Sequence, residues 1–367
     1  MHQPSFWHQL EKPIVALAPM DGVTDQAYRF IHKKYGRSPV VYTEFTSVEG
    51  VCHGADRLLK DFLYDETQRP IVAQVYGTTP DFFRQTATLL CELGFDGIDI
   101  NMGCPAKNVA HSGAGAALIN TPKLAQEIVR ATKAGVEDWL NGKTTADCPD
   151  ITSGIAAEVQ KRHQNLPVAY QQKRSLPVSV KTRAGYDKPV IESWIPALLE
   201  VEPVVIAIHG RTLKQHYSGL ASWEEIAKAA ELVHQTNTII LGNGDTVNYA
   251  HALERCQTYG VDGVLLGRAT FGNPYVLRKE LSPSDPSLFA IALEHAYLFE
   301  NIYQDAERYN FLPMRKHLGW YVKSVHNASE IRKKVFASES AQQVEEIFLE
   351  HGLVTEAEVT KSKQAEV

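Results

Sequence analysis

The chain has 367 residues, 44% of them hydrophobic and 22% charged, with a formal net charge of −6. Those values suit a soluble protein with a large core, built as two domains or as one large domain with an appendage. They exclude a global attraction to nucleic acid, no run of about 18 apolar residues is present to cross a membrane, and residues 1–13 lack the basic-then-apolar order of a secretory signal.

Candidate strands come first in chain order: "IVALAP" (14–19), "VVYTEF" (40–45), "IVAQVYG" (71–77), "GIDIN" (97–101), "PVSVKTR" (177–183), "VVIAIHGR" (204–211), "TIILGNG" (238–244) and "GVLLGR" (263–268). Most are continuous aliphatic runs, as parallel strands covered on both faces require. Helical patterns fill most intervals, at 79–94, 121–135, 221–235 and 248–260. Thr79 and Thr121 stand at N-cap positions before proline, and Gly94 and Gly260 at stops. Eight strand–helix alternations over residues 1–282 fit a (β/α)8 TIM barrel. A doubly wound sheet is the alternative, but the first strand runs into "APMDGVTD" rather than G-x-G-x-x-G.

One interval, 136–176, is too long for a connection and reads as a partly mobile insertion with a polar start and one helix near 155–165. Beyond "SPSDPS" (282–287) the pattern is helical only, at 287–309, 311–325 and 340–352, which defines a second domain over 283–352; the polar tail, 353–367, is expected to fray. Five cysteines, at 52, 91, 104, 148 and 256, are odd in number and without C-x-x-C pairing, which argues for free thiols in a reducing compartment, the cytoplasm, and against a metal site. Cys91 and Cys256 read as packing residues, Cys52 lacks supporting chemistry, and Cys148 lies in the insertion.

Barrel chemistry sits at the C-terminal ends of the strands. Those ends carry Pro19, Met20 and Asp21; Thr43 and Glu44; Gln74; Asn101 and Cys104; Lys181 and Arg183; His209 and Arg211; Asn243, Gly244 and Asp245; Gly267 and Arg268. Chance supplies two or three polar ends, not readily all eight. The glycine turns "GNGD" (242–245) and "GRATFGNP" (267–274) follow adjacent strands and expose backbone N–H groups where such barrels bind phosphate, with Arg268 to add charge. Lys181 and Arg183 share one face of their strand, because side chains alternate. Two cations at a barrel mouth imply an anionic or oxygen-rich ligand. Lys181 alone reads first as a partner for a nearby carboxylate, with a stabiliser of charge on a reduced flavin and a Schiff-base lysine as the alternatives. His209 fits either a loop hydrogen bond or a ligand contact.

Taken in order, "APMDGVTDQAYR" (18–29), "DINMGCPAKNV" (99–109), "VKTRAGYD" (180–187), "IHGRT" (208–212), "GNGD", "GRATFGNPY" (267–275) and the helical "MRKHLGWYVK" (314–323) resemble the flavin-dependent tRNA-dihydrouridine synthases, from about residue 12 to about residue 350. The resemblance implies an FMN-bound (β/α)8 barrel followed by a helical tRNA-binding domain, acting as a monomer with NADPH, in preference to NADH, as reductant. It implies Pro19 and Met20 against the isoalloxazine, Gln74 and Lys181 on its pyrimidine edge, and His209, Asn243, Gly244, Gly267 and Arg268 around the ribityl chain and phosphate. Cys104 matches the catalytic cysteine, and Asn101 and Arg183, with Lys181, match the positions that meet the uracil. Residues 308–334 carry Arg308, Arg315, Lys316, Lys323, Arg332, Lys333 and Lys334 against Glu330, a local charge of +6. With Trp320 and Tyr321 among them they form a candidate tRNA surface, of which Arg315, Lys316 and Lys323 are the chosen contacts. Competing readings are a flavin barrel enzyme acting on a free small molecule, a non-catalytic RNA-binding barrel, and a Schiff-base aldolase.

Overall fold

The computed structural model describes residues 5–216, 218–306, 309–325 and 327–364. Eight parallel strands form one curled sheet: β1 Ile14–Leu17, β2 Val41–Ser47, β3 Ile71–Tyr76, β4 Gly97–Met102, β5 Val178–Gly185, β6 Val205–Thr212, β7 Ile239–Asn243 and β8 Gly263–Leu266. From β2 to β8 each strand pairs with its sequence neighbour, and β1 pairs with β8, in the order β1-β8-β7-β6-β5-β4-β3-β2. This is the (β/α)8 barrel, and every expected strand is present within a few residues. Helices Gln26–Lys34 (α1), Pro80–Glu92 (α2), Pro122–Leu140 (α3), Ser153–Gln164 (α4), Ile191–Leu199 (α5), Trp223–Val233 (α6) and Tyr249–Tyr259 (α7) belong to the barrel part of the chain.

The strands are buried on both faces for two reasons. Outward side chains such as Ile98, Ile100, Val178 and Val180 pack under the helices. Inward ones, Ile14, Ala16, Tyr42, Val72, Val205, Ala207, Leu241 and Leu265, fill the barrel, with Trp7 among them. This inner plug forms the floor above which the polar inward residues stand.

Local signals behaved unevenly. Gly94 and Gly260 take left-handed backbone at φ +77° and +68°, as helix stops do. Thr79 and Thr121 precede helical prolines, but neither hydroxyl makes the cap bond. At α2 the Glu49 carboxylate takes over, accepting from the Thr78 and Thr79 amides at 2.7 and 3.2 Å, where a negative charge meets the positive end of the helix.

The insertion docks instead of straying. Its helix, α4, hydrogen-bonds back through Arg162 to the Leu59 carbonyl and His163 to the Glu92 carbonyl. Cys148 is buried against the Gln85 and Thr144 carbonyls. All five cysteines are free thiols.

Beyond β8 the chain continues as helices Leu288–Tyr303 (α8), Leu312–Tyr321 (α9), Ala328–Ala337 (α10), Ala341–Glu350 (α11) and Glu356–Lys363 (α12). They share a core with Ala27, Phe30 and Ile31 of α1, so the helical layer is mortised onto the first barrel helix. The fraying expected after residue 353 is corrected: α12 is capped by a reciprocal Thr355–Glu358 box, and Val359 and Ser362 are buried. Ser362 Oγ donates to the Ala290 carbonyl of α8. Among the described residues no helix is long and apolar enough to cross a membrane.

Candidate active site

Strand register assembles the site. Gln74 stands beside Asp99, Asp99 beside Ser179, and Asn101 beside Lys181; one layer round, Arg183 pairs with His209 and His209 with Asn243. All are inward positions above the apolar plug; Asp99 and Ser179 are buried outside the cavity wall, and the others line its mouth. There they bound a cavity of about 1010 Å³, whose wall holds Pro19, Met20, Gln74, Asn101, Cys104, Lys181, Arg183, His209, Asn243, Gly244, Gly267 and Arg268. Every barrel residue given a catalytic, substrate or cofactor role by the resemblance is therefore on one surface. Of the other strand-end residues, Thr43 and Arg211 are outside that wall, and so is Glu44. It sits apart from that wall near Asp25, Asp61 and Arg29, its carboxyl pushed up to about 8 by burial and then by the neighbouring carboxylates.

Cys104 lies just past β4, only 7% exposed. Its loop is clasped from two strands. Asn101 Oδ1 accepts from the Gly103 and Cys104 amides at 3.0 and 2.9 Å, while Arg183 Nε donates to the Gly103 carbonyl at 2.6 Å and Nη1 to the Thr212 carbonyl at 3.3 Å. From behind, Gly115 at φ +61° leaves room where a Cβ would stand 3.0 Å from the Cys104 carbonyl oxygen. Phe45 and Tyr76, edge to face at 4.9 Å, pack beside the thiol. Burial raises the Cys104 pKa above that of an ordinary thiol, with Asp21 adding to the rise; the Ala106 amide, Arg183 and Lys181 oppose it. The group is therefore a neutral thiol at physiological pH.

An amide–carboxylate chain runs along the inner wall. Asn101 Nδ2 donates to Gln74 Oε1 at 3.1 Å, Gln74 Nε2 to Asp99 Oδ2 at 2.7 Å, and Ser179 Oγ to Asp99 Oδ1 at 2.6 Å. Burial raises the Asp99 carboxyl to about 6, against the hydrogen bonds from Ser179 and Gln74 and the charge of Lys181. Lys181 is pushed down to about 8, first by burial and then by Arg183, with Asp99 and Cys104 pulling it back. Asp99 was not singled out in advance. Its signal was present, since a carboxylate at an inward position of a buried strand requires a partner.

On the opposite wall are the glycine turns. Gly244 has φ +126°, and a Cβ there would lie 2.6 Å from Ala221 Cβ and 3.1 Å from His209 Cδ2. Asn243 Nδ2 donates to the Leu265 carbonyl at 2.7 Å, tying the two turns together. A Cβ on Gly267 would meet Met20 Sδ at 3.4 Å. His209 is held neutral: burial, then the charges of Arg183, Lys181, Arg211 and Arg268, drive its pKa well below the usual value. Arg211, 2% exposed, pairs with Asp245 at 2.8 Å.

The helical layer reaches the cavity mouth. Trp320 of α9 stacks on Phe271 at 3.8 Å and 5°, and Phe271 lines the cavity. Lys316 is exposed, lies 5.6 Å over the Trp320 ring and hydrogen-bonds the Gly22 carbonyl beside the mouth. Lys323 is exposed. Two parts of the expected basic, aromatic surface differ. Tyr321 is 5% exposed and packs inward near His295, because it falls on the apolar stripe of α9. Arg315 is engaged within the protein, Nε donating to the Ser338 carbonyl at 2.7 Å with Glu339 nearby. Arg308 lies outside the described residues.

The family model described as "Dihydrouridine synthase (Dus)" matches residues 16–151 and 157–358. A "Probable tRNA-dihydrouridine synthase" of Staphylococcus aureus (strain COL) is 34% identical over 342 residues, 92% of each chain. One of Staphylococcus epidermidis is 33% identical over 349 residues, 94% of this chain and 95% of the other. "Probable tRNA-dihydrouridine synthase 2" of Bacillus subtilis is 32% identical over 346 residues, 93% of this chain and 94% of the other. With nearly the whole barrel and helical layer matched, the chain belongs to the dihydrouridine synthase family.

Proposed function

We propose that the protein reduces a uridine of tRNA to 5,6-dihydrouridine, as a cytoplasmic monomer holding FMN and using NADPH. The observation that carries this reading is the convergence on one cavity of a neutral thiol, two cations and two glycine turns. The residues fit an FMN. The cavity is of the size that nucleotide cofactors need. Gly244 and Gly267 bring bare backbone to the cavity wall beside Arg268, and the buried Arg211 Nε lacks a partner among the described residues, which supports an anion at these turns. His209, Asn243, Gly244, Gly267 and Arg268 would hold the ribityl phosphate, Pro19 and Met20 the ring face, and Gln74 and Lys181 its pyrimidine edge.

The chemistry that bound, NADPH-reduced FMN supplies is a hydride for carbon-6 of the uracil. A base within a stacked strand cannot reach this depth, so it enters the cavity flipped out. Addition at carbon-6 builds negative charge on the uracil carbonyl, and Lys181, Arg183 and Asn101 stabilise that oxygen and fix the ring. The Cys104 thiol delivers the proton to carbon-5, the carbon–carbon double bond becomes single, and the thiolate left behind takes a proton from solvent. A thiol kept neutral by burial is suited to act as an acid. Lys316 and Lys323 meet tRNA phosphates beside the mouth.

The test is direct. Purified protein should carry flavin absorbance, and with NADPH should form dihydrouridine in tRNA lacking it, while free uridine reacts far more slowly. Colourless protein without affinity for FMN, or equal activity on free uridine, overturns the reading.

A further inference from the structure

Asp245 is a knot between three loops at the phosphate side of the cavity. Its backbone is left-handed, φ +51°, immediately after Gly244. A non-glycine residue is strained there, least so Asp and Asn, and such strain persists where the surroundings over-determine it. The surroundings are visible. Arg211 Nη2, from the end of β6, donates to both carboxylate oxygens at 2.9 and 2.8 Å. The Ala221 amide, from the loop after β6, donates to Oδ2 at 2.8 Å. Arg268 Nη2, from the turn after β8, donates to Oδ1 at 3.0 Å. Arg211 is itself immobilised, Nη2 donating to the Gly219 carbonyl at 2.7 Å and Nη1 lying 3.3 Å from His209 Nε2. The Arg268 side chain is 54% exposed, so its ion pair contributes little stability. What the pair does is choose one position for a long arm beside Gly244 and Gly267.

We propose that Asp245 is a positioning residue for the anion subsite: it holds Arg268 and the loops after β6, β7 and β8 in the one arrangement that receives the phosphate of the flavin. The proposal rests on the FMN reading above. Its carboxyl lies below the usual range, because the Ala221 amide and the two arginines outweigh burial, so it is an anion at any working pH. This gives the proposal a sign. As a bare charge, a carboxylate beside a phosphate repels it, and its loss tightens FMN. As a positioning group, its loss weakens FMN.

The experiment titrates flavin-stripped full-length protein with FMN and with riboflavin, which lacks the phosphate, by flavin fluorescence. Asp245→Asn keeps the size, an acceptor for the Ala221 amide and tolerance of left-handed backbone. The charge-assisted bonds it removes correspond to at least about a tenfold loss of FMN affinity, with riboflavin changed less than about twofold. In an Arg268→Met background the same substitution has a markedly smaller effect, because the arm it positions is gone. Asp245→Glu keeps the counter-charge that buried Arg211 needs but displaces it, and lowers FMN affinity about threefold in the same phosphate-dependent way; it carries the test if the Asn variant does not fold. FMN binding that tightens, that falls in step with riboflavin, or that falls equally without Arg268, overturns the proposal. Wild-type protein that binds neither flavin overturns the FMN reading beneath it instead.

Discussion

Replacing Asn101 with Ala tests whether the Cys104 loop is held as described. Asn101 is 8% exposed and makes three hydrogen bonds, accepting from the Gly103 and Cys104 amides and donating to Gln74 Oε1. Truncation strands two amides and one amide oxygen. A buried polar group left unsatisfied costs about 1–3 kcal/mol, and water from the adjoining cavity recovers part of it, which leaves about 2–4 kcal/mol. For a domain of this size that corresponds to roughly 4–8 °C in melting temperature. The structure adds a second consequence. Arg183 still holds the Gly103 carbonyl, so the loop loosens on its Cys104 side without detaching. The assay pairs thermal unfolding with the rate of Cys104 alkylation by iodoacetamide, followed by peptide mass spectrometry. The melting temperature should fall and alkylation should accelerate, and dihydrouridine formation should drop while FMN remains bound. An Asn101→Ala protein that melts with the wild type and alkylates at the wild-type rate would refute the clasp, whatever its activity.

Other outcomes follow from the same geometry. Cys104→Ala should retain flavin and NADPH oxidation while dihydrouridine formation falls; formation at the wild-type rate means that Cys104 is not the acid. Lys181 has its folded pKa lowered to about 8 from 10.5. Between those values the unfolded chain keeps a proton that the folded chain has released, so stability rises with pH across that window. Denaturation of wild type and Lys181→Met at pH 7.5 and 10 should then show the wild type gaining on the variant at the higher pH, and a constant difference contradicts the buried lysine. Lys316→Glu with Lys323→Glu should weaken tRNA binding, most at low salt, and spare flavin reduction by NADPH; undiminished tRNA affinity at low salt removes α9 from the interface.

Much of the architecture was legible locally. Parallel strands buried on both faces favour continuous aliphatic runs, and most of the eight are of that kind. Alternation placed Lys181 and Arg183 on one face without any knowledge of the barrel. The barrel rule then collected residues from the strand ends onto one rim, and those of every strand but β2 are represented in the cavity wall. The final helix was legible too, in the Thr355–Glu358 box, but polar composition concealed it.

What tertiary structure alone decided is who holds whom. Arg183 reaches the Gly103 carbonyl across 80 residues and Arg211 reaches Asp245 across 34, contacts set by strand register rather than by spacing. The same holds at the helical layer. Composition made Arg315 and Tyr321 look like surface groups for RNA, but the packing of α9 turned one to the Ser338 carbonyl and the other into the core, leaving Lys316 at the mouth beside the Trp320–Phe271 stack. A sequence determines which chemistry is carried and on which face of an element it lies. Which groups are engaged with each other, and so which remain for a ligand, is a non-local outcome of closing the barrel and docking the helices on it.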